Sequence, residues 1–315
     1  LSPGELKIRR ARLDDAPQIS DIHRSHVERW YRKIDAEQYE VPYGSLSLSE
    51  RWGFGGPWMS AETCSIHLNN LLLQRQFPLV AERGKKLIGE MELFSGKEGS
   101  PYDKNMHIGL LYVKKGYTDK GTGKALVDKA RDLAAEQECD TLTVASSQAK
   151  EGFYEKCGFE HSGNLVELEA MTGQYGVNIK RSRTPLNAQS FAHGKSMPVG
   201  RYQSSAFHLF EMNDAYALPE FLNCRRERIV REVNGHPTMF AFVKYDTDIS
   251  RADVYCWTDG AKTGDIVYSA LTLLHKDGIK YATILLAKED YDVLADNLDA
   301  AVKGSRSSLC MKVDH

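Results

Sequence analysis

Leu111-Tyr-Val-Lys-Lys-Gly-Tyr-Thr-Asp-Lys-Gly-Thr-Gly-Lys-Ala-Leu126 is the stretch on which the fold turns. Its start belongs to an apolar strand, Ile108 to Val113, and its middle, Gly116 to Gly123, is a glycine-bearing loop. Leu126, Ala130 and Leu133 then recur on one side of a helix. The N–H groups at a helix N-terminus have no intrahelical partner and sit at the positive end of the helix dipole, so they bind anions. Gly121 and Gly123 let an oxygen-rich group approach the backbone, and Lys114, Lys115, Lys120 and Lys124 add positive charge. A polyphosphate fits this chemistry.

Two familiar phosphate motifs fail here. A P-loop needs Lys and then Ser or Thr after its last glycine, but Gly123-Lys124 is followed by Ala125, and Thr118 stands where the first glycine belongs. A dinucleotide fingerprint needs a small residue where Leu126 sits. A solvated lysine-rich loop around a helix cap is the bland alternative.

Strands and helices alternate on both sides. Leu6 to Ala11 reads as a strand, and Leu13-Asp-Asp-Ala-Pro17 as a helix start whose helix puts Ile19, Ile22, His23 and Val27 on one face. An aromatic-rich stretch from Ile34 to Ser60 precedes a helix with Ile66, Leu68, Leu71 and Leu72. Pro78 to Glu82 and Leu87 to Phe94 are strands around the turn Arg83-Gly84-Lys85. After the central stretch come a strand (Thr141 to Ala145), a helix (Ala149 to Cys157, stopped by Gly158) and a strand (Leu165 to Met171).

From about Thr172 to Ser205 polarity rises and Gly173, Gly176, Pro185, Gly194, Pro198 and Gly200 break the pattern. The second half is expected to run strand (Gln203 to Phe210), helix (Leu218 to Val233), strands (Thr238 to Tyr245, Ala252 to Trp257) and helix (Asp265 to His275). Strand (Tyr281 to Leu286), helix (Tyr291 to Val302) and strand (Leu309 to Val313) follow. Laid over the first half so that Thr263-Gly264 falls on Thr122-Gly123, it sets Val267 on Leu126, Leu274 on Leu133 and Leu294 on Phe153. Lys262 replaces Gly121, Ala295 replaces Tyr154 and Asp299 replaces Gly158, so the second copy reads as degenerate; coincidence between two α/β halves competes with that reading. The expected organisation is α/β, with a first domain at 1–172, a linker at 173–202 and a second domain at 203–315.

Composition bounds the function. With 315 residues, 42% hydrophobic and 27% charged, the chain is an ordinary folded protein of about two domains. A formal charge of -2 gives no global field for nucleic acid or an anionic membrane, and no apolar run approaches a membrane span. The six cysteines form no metal-ligand pattern and fit reduced thiols of a cytoplasmic protein, so no metal is expected. Leu1-Ser-Pro-Gly-Glu5 lacks a signal peptide's apolar core, and the absent initiator Met points to a start lying further upstream.

The central stretch closely resembles the signature of the GNAT superfamily of acyl-CoA-dependent N-acyltransferases, an L-x-V strand, a Q/R-x-x-G-x-G/A loop and a helix. Ile8-Arg-Arg-Ala-Arg-Leu-Asp-Asp-Ala16 is similar to that family's first strand and helix start. Glu151-Gly-Phe-Tyr-Glu-Lys-Cys-Gly-Phe159 is similar to its L/F-Y-x-x-x-G-F motif. The resemblance spans about residues 6 to 171 and implies a mixed, splayed sheet flanked by helices, with acetyl-CoA as acyl donor. Its pantetheine arm would pair with Leu111, Tyr112 and Val113, and its pyrophosphate would sit on Thr118, Asp119, Lys120, Gly121, Thr122, Gly123 and Lys124. Ser147 and Lys156 complete the implied cofactor set. Thr118 departs from the family's Gln or Arg, which removes one side-chain phosphate contact.

Tyr154 matches the family tyrosine that protonates the departing thiolate. For the general base, Glu90, Glu92 and His107 are candidates among which spacing does not choose. Trp30, Tyr31, Tyr39, Tyr43, Trp52, Phe54 and Trp58 border the region where the family binds its acceptor amine, small molecule or protein, and equally suit loop packing or a homodimer contact. The competing function is a non-catalytic acyl-CoA-binding or interaction protein.

Overall fold

The computed structural model describes residues 5–34, 37–97, 102–182, 196–200, 224–245 and 248–314. Among these, two compact units form, one from 5–94 with 108–133, the other from 95–107 with the described residues after 133.

The first unit begins with β1 (Leu6–Arg10) and α1 (Ala16–Arg24), the latter opened by Pro17, whose missing N–H costs nothing in a first turn. The Arg9 guanidinium bonds both Asp15 carboxylate oxygens, at 2.7 and 2.9 Å, and Glu82 at 2.7 Å, which fixes the strand to the helix start. The aromatic stretch holds a hairpin, β2 (Tyr31–Ile34) with β3 (Glu37–Glu40), and α2 (Leu48–Trp52), opened by a Ser47/Glu50 capping box. α3 (Ala61–Leu73) is capped by Ser60, whose hydroxyl accepts the Thr63 N–H. β4 (Phe77–Arg83) turns at Gly84 into β5 (Lys86–Lys97), and β6 (Lys104–Val113) leads to α4 (Thr122–Glu136). The sheet order is β1-β4-β5-β6. Ile19 and Ile22 of α1 close on Cys64, Leu68, Val80 and Leu87 in one buried core.

The second unit holds β7 (Thr141–Ser146), α5 (Gln148–Lys156), β8 (Glu160–Met171), β9 (Ile179–Arg181) and β10 (Ser196–Val199). Then come β11 (Cys224–Val233), β12 (His236–Tyr245), β13 (Arg251–Thr258), α6 (Thr263–Lys276), β14 (Tyr281–Ala287), α7 (Lys288–Leu294) and β15 (Ala300–Lys312). Their order is β7-β15-β8-β14-β13-β12-β11-β9, with β10 on β13. β13 and β14 run parallel while β8, β11, β12 and β15 pair antiparallel, so the sheet is mixed and flanked by helices, as expected. The last strand of the chain lies between β7 and β8, pairing Cys310 with Thr143 and with Glu160. Phe240, Phe242, Ile266, Leu271, Ile284 and Leu286 centre the core.

Two expectations for the second half are corrected. Residues 224–233, read as part of a helix, form β11, paired with β12 from Cys224↔Tyr245 to Val233↔His236. Asn234 and Gly235, at φ +50° and +88°, make the two-residue turn between them, so this dipeptide outweighs the helix propensity of the Arg- and Glu-rich run. The helix expected from Tyr291 to Val302 ends at Leu294, and Ala300 already belongs to β15, because its edge is taken up by Ala170 of β8. The strand expected at Gln203 to Phe210 and residues 218–223 of that same helix lie outside the described residues.

Candidate active site

The glycine-bearing loop lies in the first unit. Gly116 and Gly121 take φ of +89° and +80°, conformations that L side chains rarely adopt, and the space a Cβ would fill at either is open. α4 begins at Thr122, where the Gly121 carbonyl accepts the Ala125 N–H at 3.0 Å. Residues 118–121 are exposed, whereas Thr122 is buried and its Oγ1 has no hydrogen-bond partner. A helix N-terminus behind an exposed loop with open glycine faces suits a diphosphate, while the Thr122 hydroxyl is buried away from it. Two lysines are partly engaged: Lys120 Nζ donates to the Gly116 carbonyl at 2.7 Å, and Lys124 pairs with Asp128. The Val113 carbonyl accepts the ring N–H of His26 at 2.8 Å, and Leu111, Tyr112 and Val113 are half-buried.

In the same unit β5 carries Glu90 and Glu92 two residues apart, so both project from one face of the strand. Both are buried, at 2% and 1% exposure, and each meets a histidine from a different helix. Glu92 Oε1 accepts Nε2–H of His67 at 2.7 Å and the indole N–H of Trp58 at 2.8 Å. Glu90 Oε2 bonds Nε2 of His23. Trp58 stacks on His23 with centroids 5.2 Å apart, and Tyr112 lies 4.4 Å from the same imidazole.

These pairs differ in charge. Burial, then the Glu92 charge, holds the Glu90 carboxyl well above its ordinary range, and burial drives His23 down to about 3. Glu90 therefore donates its proton to a neutral His23. For His67, burial pulls down, but the Glu92 charge and its hydrogen bond outweigh it, and the net shift is upward. Burial, then the charges of Glu90 and Glu92, raises the nearby Cys64 thiol, which stays protonated and is no nucleophile.

Tyr154 belongs to the second unit. It is buried in α5, ringed by Phe153 and Phe159 at 5.0 and 5.5 Å, and burial pushes its phenol up to about 12. Ser147 stands at the N-cap position of α5 with no side-chain bond to the helix, and both it and Lys156 are exposed. His107 is buried and its Nδ1 bonds Thr143 Oγ1 at 2.9 Å, beside Asn105, which bonds the same hydroxyl.

Sequence reasoning passed over His23 and His67 as functional residues and set Trp58 in the aromatic border of the acceptor region, not on Glu92. The available signal was a pair of carboxylates at alternate positions of an otherwise apolar strand, Leu87 to Phe94, which requires buried partners. Of the other aromatics, Trp30, Tyr31, Tyr43 and Phe54 pack on one another, and Arg24 and Arg51 lie over Tyr43. Cys64, Cys139, Cys157, Cys256 and Cys310 are free, and among the described residues no group of three or more His, Cys, Asp or Glu could hold a metal ion and no helix is long and apolar enough to cross a membrane.

The fold is similar to that of a GCN5-related N-acetyltransferase from Anabaena variabilis (TM-score 0.59, 14% identity, 98% of this chain and 73% of that one). One from Kribbella flavida is similar (0.54, 9%, 98% and 71%). So is a tandem GNAT protein from the clavulanic acid biosynthesis pathway (0.52, 14%, 99% of each chain). No curated protein matches the chain. Residues 61–172, which carry Glu90, Glu92, the loop and Tyr154, match the acetyltransferase (GNAT) domain model.

Proposed function

We propose that the chain is an N-acetyltransferase that moves the acetyl group of acetyl-CoA to a primary amine of a small molecule or protein by direct attack. The buried Glu92–His67–Trp58 cluster beside Glu90–His23 is the observation that carries this reading. An acceptor reaches the site as an ammonium and must lose a proton before its lone pair can attack. With Oε1 of Glu92 occupied by two N–H donors, Oε2 is left to collect that proton, and His67 holds the carboxylate in place. Glu90, its carboxyl held above the ordinary range and bonded to His23, and His107, bonded to Thr143, are assigned supporting roles.

Acetyl-CoA would bind on residues 118–124 and along Leu111, Tyr112 and Val113, and supplies an activated acyl group and a thiolate leaving group. Ser147 and Lys156 are exposed enough to meet it. Tyr154 is assigned as the acid. Its raised pKa keeps the phenol protonated at neutral pH, and a thiolate whose conjugate acid has a pKa of about 8.5 needs a donor at the moment of C–S cleavage. Residues 1–172 are proposed as the catalytic domain, 173–202 as a linker and 203–315 as a degenerate second copy. Free buried thiols favour the cytoplasm, and a homodimer remains part of the proposal.

The second reading is a non-catalytic acyl-CoA-binding or interaction protein; Thr118 in place of a longer side chain and the internal bonds of Lys120 and Lys124 loosen the grip on a phosphate and count against the transferase. Thiol release from acetyl-CoA over a panel of amines separates the two. Amine-dependent release lost in Glu92→Gln supports the transferase, and tight binding with no release on any amine supports the alternative.

A further inference from the structure

Parallel strands β13 and β14 pair over three positions, Arg251↔Tyr281, Ala252↔Ala282 and Asp253↔Thr283. Beyond Asp253 the facing edge of β13 is taken by another segment. β10 runs antiparallel to it, with Ser196 opposite Thr258 and Val199 opposite Cys256. Directly after β10, the Gly200 N–H donates to the Leu285 carbonyl of β14 at 3.0 Å. Residues 196–200 thus bond to both arms of a fork in a parallel pair, satisfying main-chain groups that separation would leave bare.

The position has a meaning in the alignment of the two halves. With Thr263 on Thr122, α6 answers to α4 and β14 to β7, so β13 answers to β6. In the first copy the β6 edge at Leu111 to Val113 is where the resemblance puts the pantetheine arm. We propose that residues 196–200 are a built-in occupant of the corresponding slot of the second copy, an extended, amide-bearing, apolar segment standing where an acyl-CoA arm would lie. Met197 and Val199 are buried at 2% and 0% exposure, and Val199 belongs to the core of that unit. Gly200 sits at φ +106°, and a Cβ there would come within 2.7 Å of the Tyr255 ring and 3.3 Å of its Cα, so the seat is shaped for glycine. The connection from β13 to α6, residues 259–262, is also much shorter than the cradle at 114–121. The second copy therefore holds its own chain in place of a donor and takes no acyl-CoA.

This uses the two-copy reading proposed above and not the transfer chemistry, so the two fail separately. Hydrogen exchange on the full chain, read on peptides covering 196–200 and 254–258, is expected to show slow exchange without acetyl-CoA and an unchanged rate with it. In Val199→Cys a disulfide to native Cys256 should form under mild oxidation and be absent when Cys256→Ser is added. Gly200→Val should speed exchange in both peptides. Exchange of 196–200 at the rate of unfolded chain, or its release when acetyl-CoA is added, overturns the proposal. If acetyl-CoA slows no peptide anywhere, the proposed function fails while slow exchange at 196–200 still supports the occupant.

Discussion

Glu92 and His67 stand 25 residues apart in sequence and share a 2.7 Å hydrogen bond in a site where each is at most 4% exposed by side chain. Removing the carboxylate charge while keeping its shape, Glu92→Gln, is expected to lower kcat by roughly 10²–10⁴-fold with acetyl-CoA affinity nearly unchanged. Steady-state kinetics with an accepted amine, beside calorimetry for acetyl-CoA, checks it; wild-type kcat would remove Glu92 from the reaction.

Trp58 donates to the same oxygen, so Trp58→Phe leaves Glu92 one donor short inside the protein. That should cost about 1–3 kcal/mol. Chemical denaturation of the variant measures it, and a stability within a few tenths of wild type would show that the indole N–H is dispensable.

His23 gives the fold an acid-side weakness. The unfolded chain takes its proton near pH 6.5, while the folded state resists it until about pH 3. Between those values the unfolded state binds more protons, so this contribution is complete above 6.5 and lost as pH falls. Glu90, held above its ordinary 4.5, acts oppositely above that pH, so the His23 slope stands alone below it. Compared with wild type, His23→Gln should lose less stability from pH 4.5 to 3, by up to about 1.4 kcal/mol per pH unit. Parallel slopes in pH-dependent denaturation would contradict a buried neutral imidazole.

Local signals were legible and distant ones were not. Gly84 between alternating strands, Gly158 after a helix and the glycines before Thr122 each mark a boundary through backbone geometry that neighbouring residues share. β11 reads as helix from sequence although Asn234-Gly235 carries the hairpin signal, because Arg and Glu at six of its ten positions mimic an exposed helix. That β15 lies between β7 and β8 depends on partners more than a hundred residues away. The candidate site divides likewise: Glu90, Glu92 and the loop stand out as charges or glycines in unusual places. His23 and His67 sit on buried helix faces and become informative only once α1 and α3 bring them to β5.

The turn itself is testable. Gly235→Val forces a β-branched residue to φ +88° and is expected to cost about 1–3 kcal/mol. Thermal or denaturant unfolding measures the loss, and an unaltered midpoint would argue against the two-residue turn.

Tyr154→Phe keeps the buried ring between Phe153 and Phe159 and removes only the hydroxyl that carries the proton. Turnover should fall by roughly 10²–10⁴-fold with the loss concentrated in kcat, since a thioester sulfur accepts a hydrogen bond poorly before cleavage. An intact kcat with a changed melting temperature would make Tyr154 a packing residue.

Binding of acetyl-CoA on the 118–123 loop underlies all the proposed chemistry, and calorimetric titration of wild type against Gly121→Asp tests it most directly. Gly121 at φ +80° opens its face to the helix N-terminus, where an aspartate would place a carboxylate in the seat of the diphosphate. Wild type is expected to bind one acetyl-CoA per chain and Gly121→Asp none, with both variants melting as folded proteins. Equal affinity in the two would contradict the cradle and, with it, the proposed function.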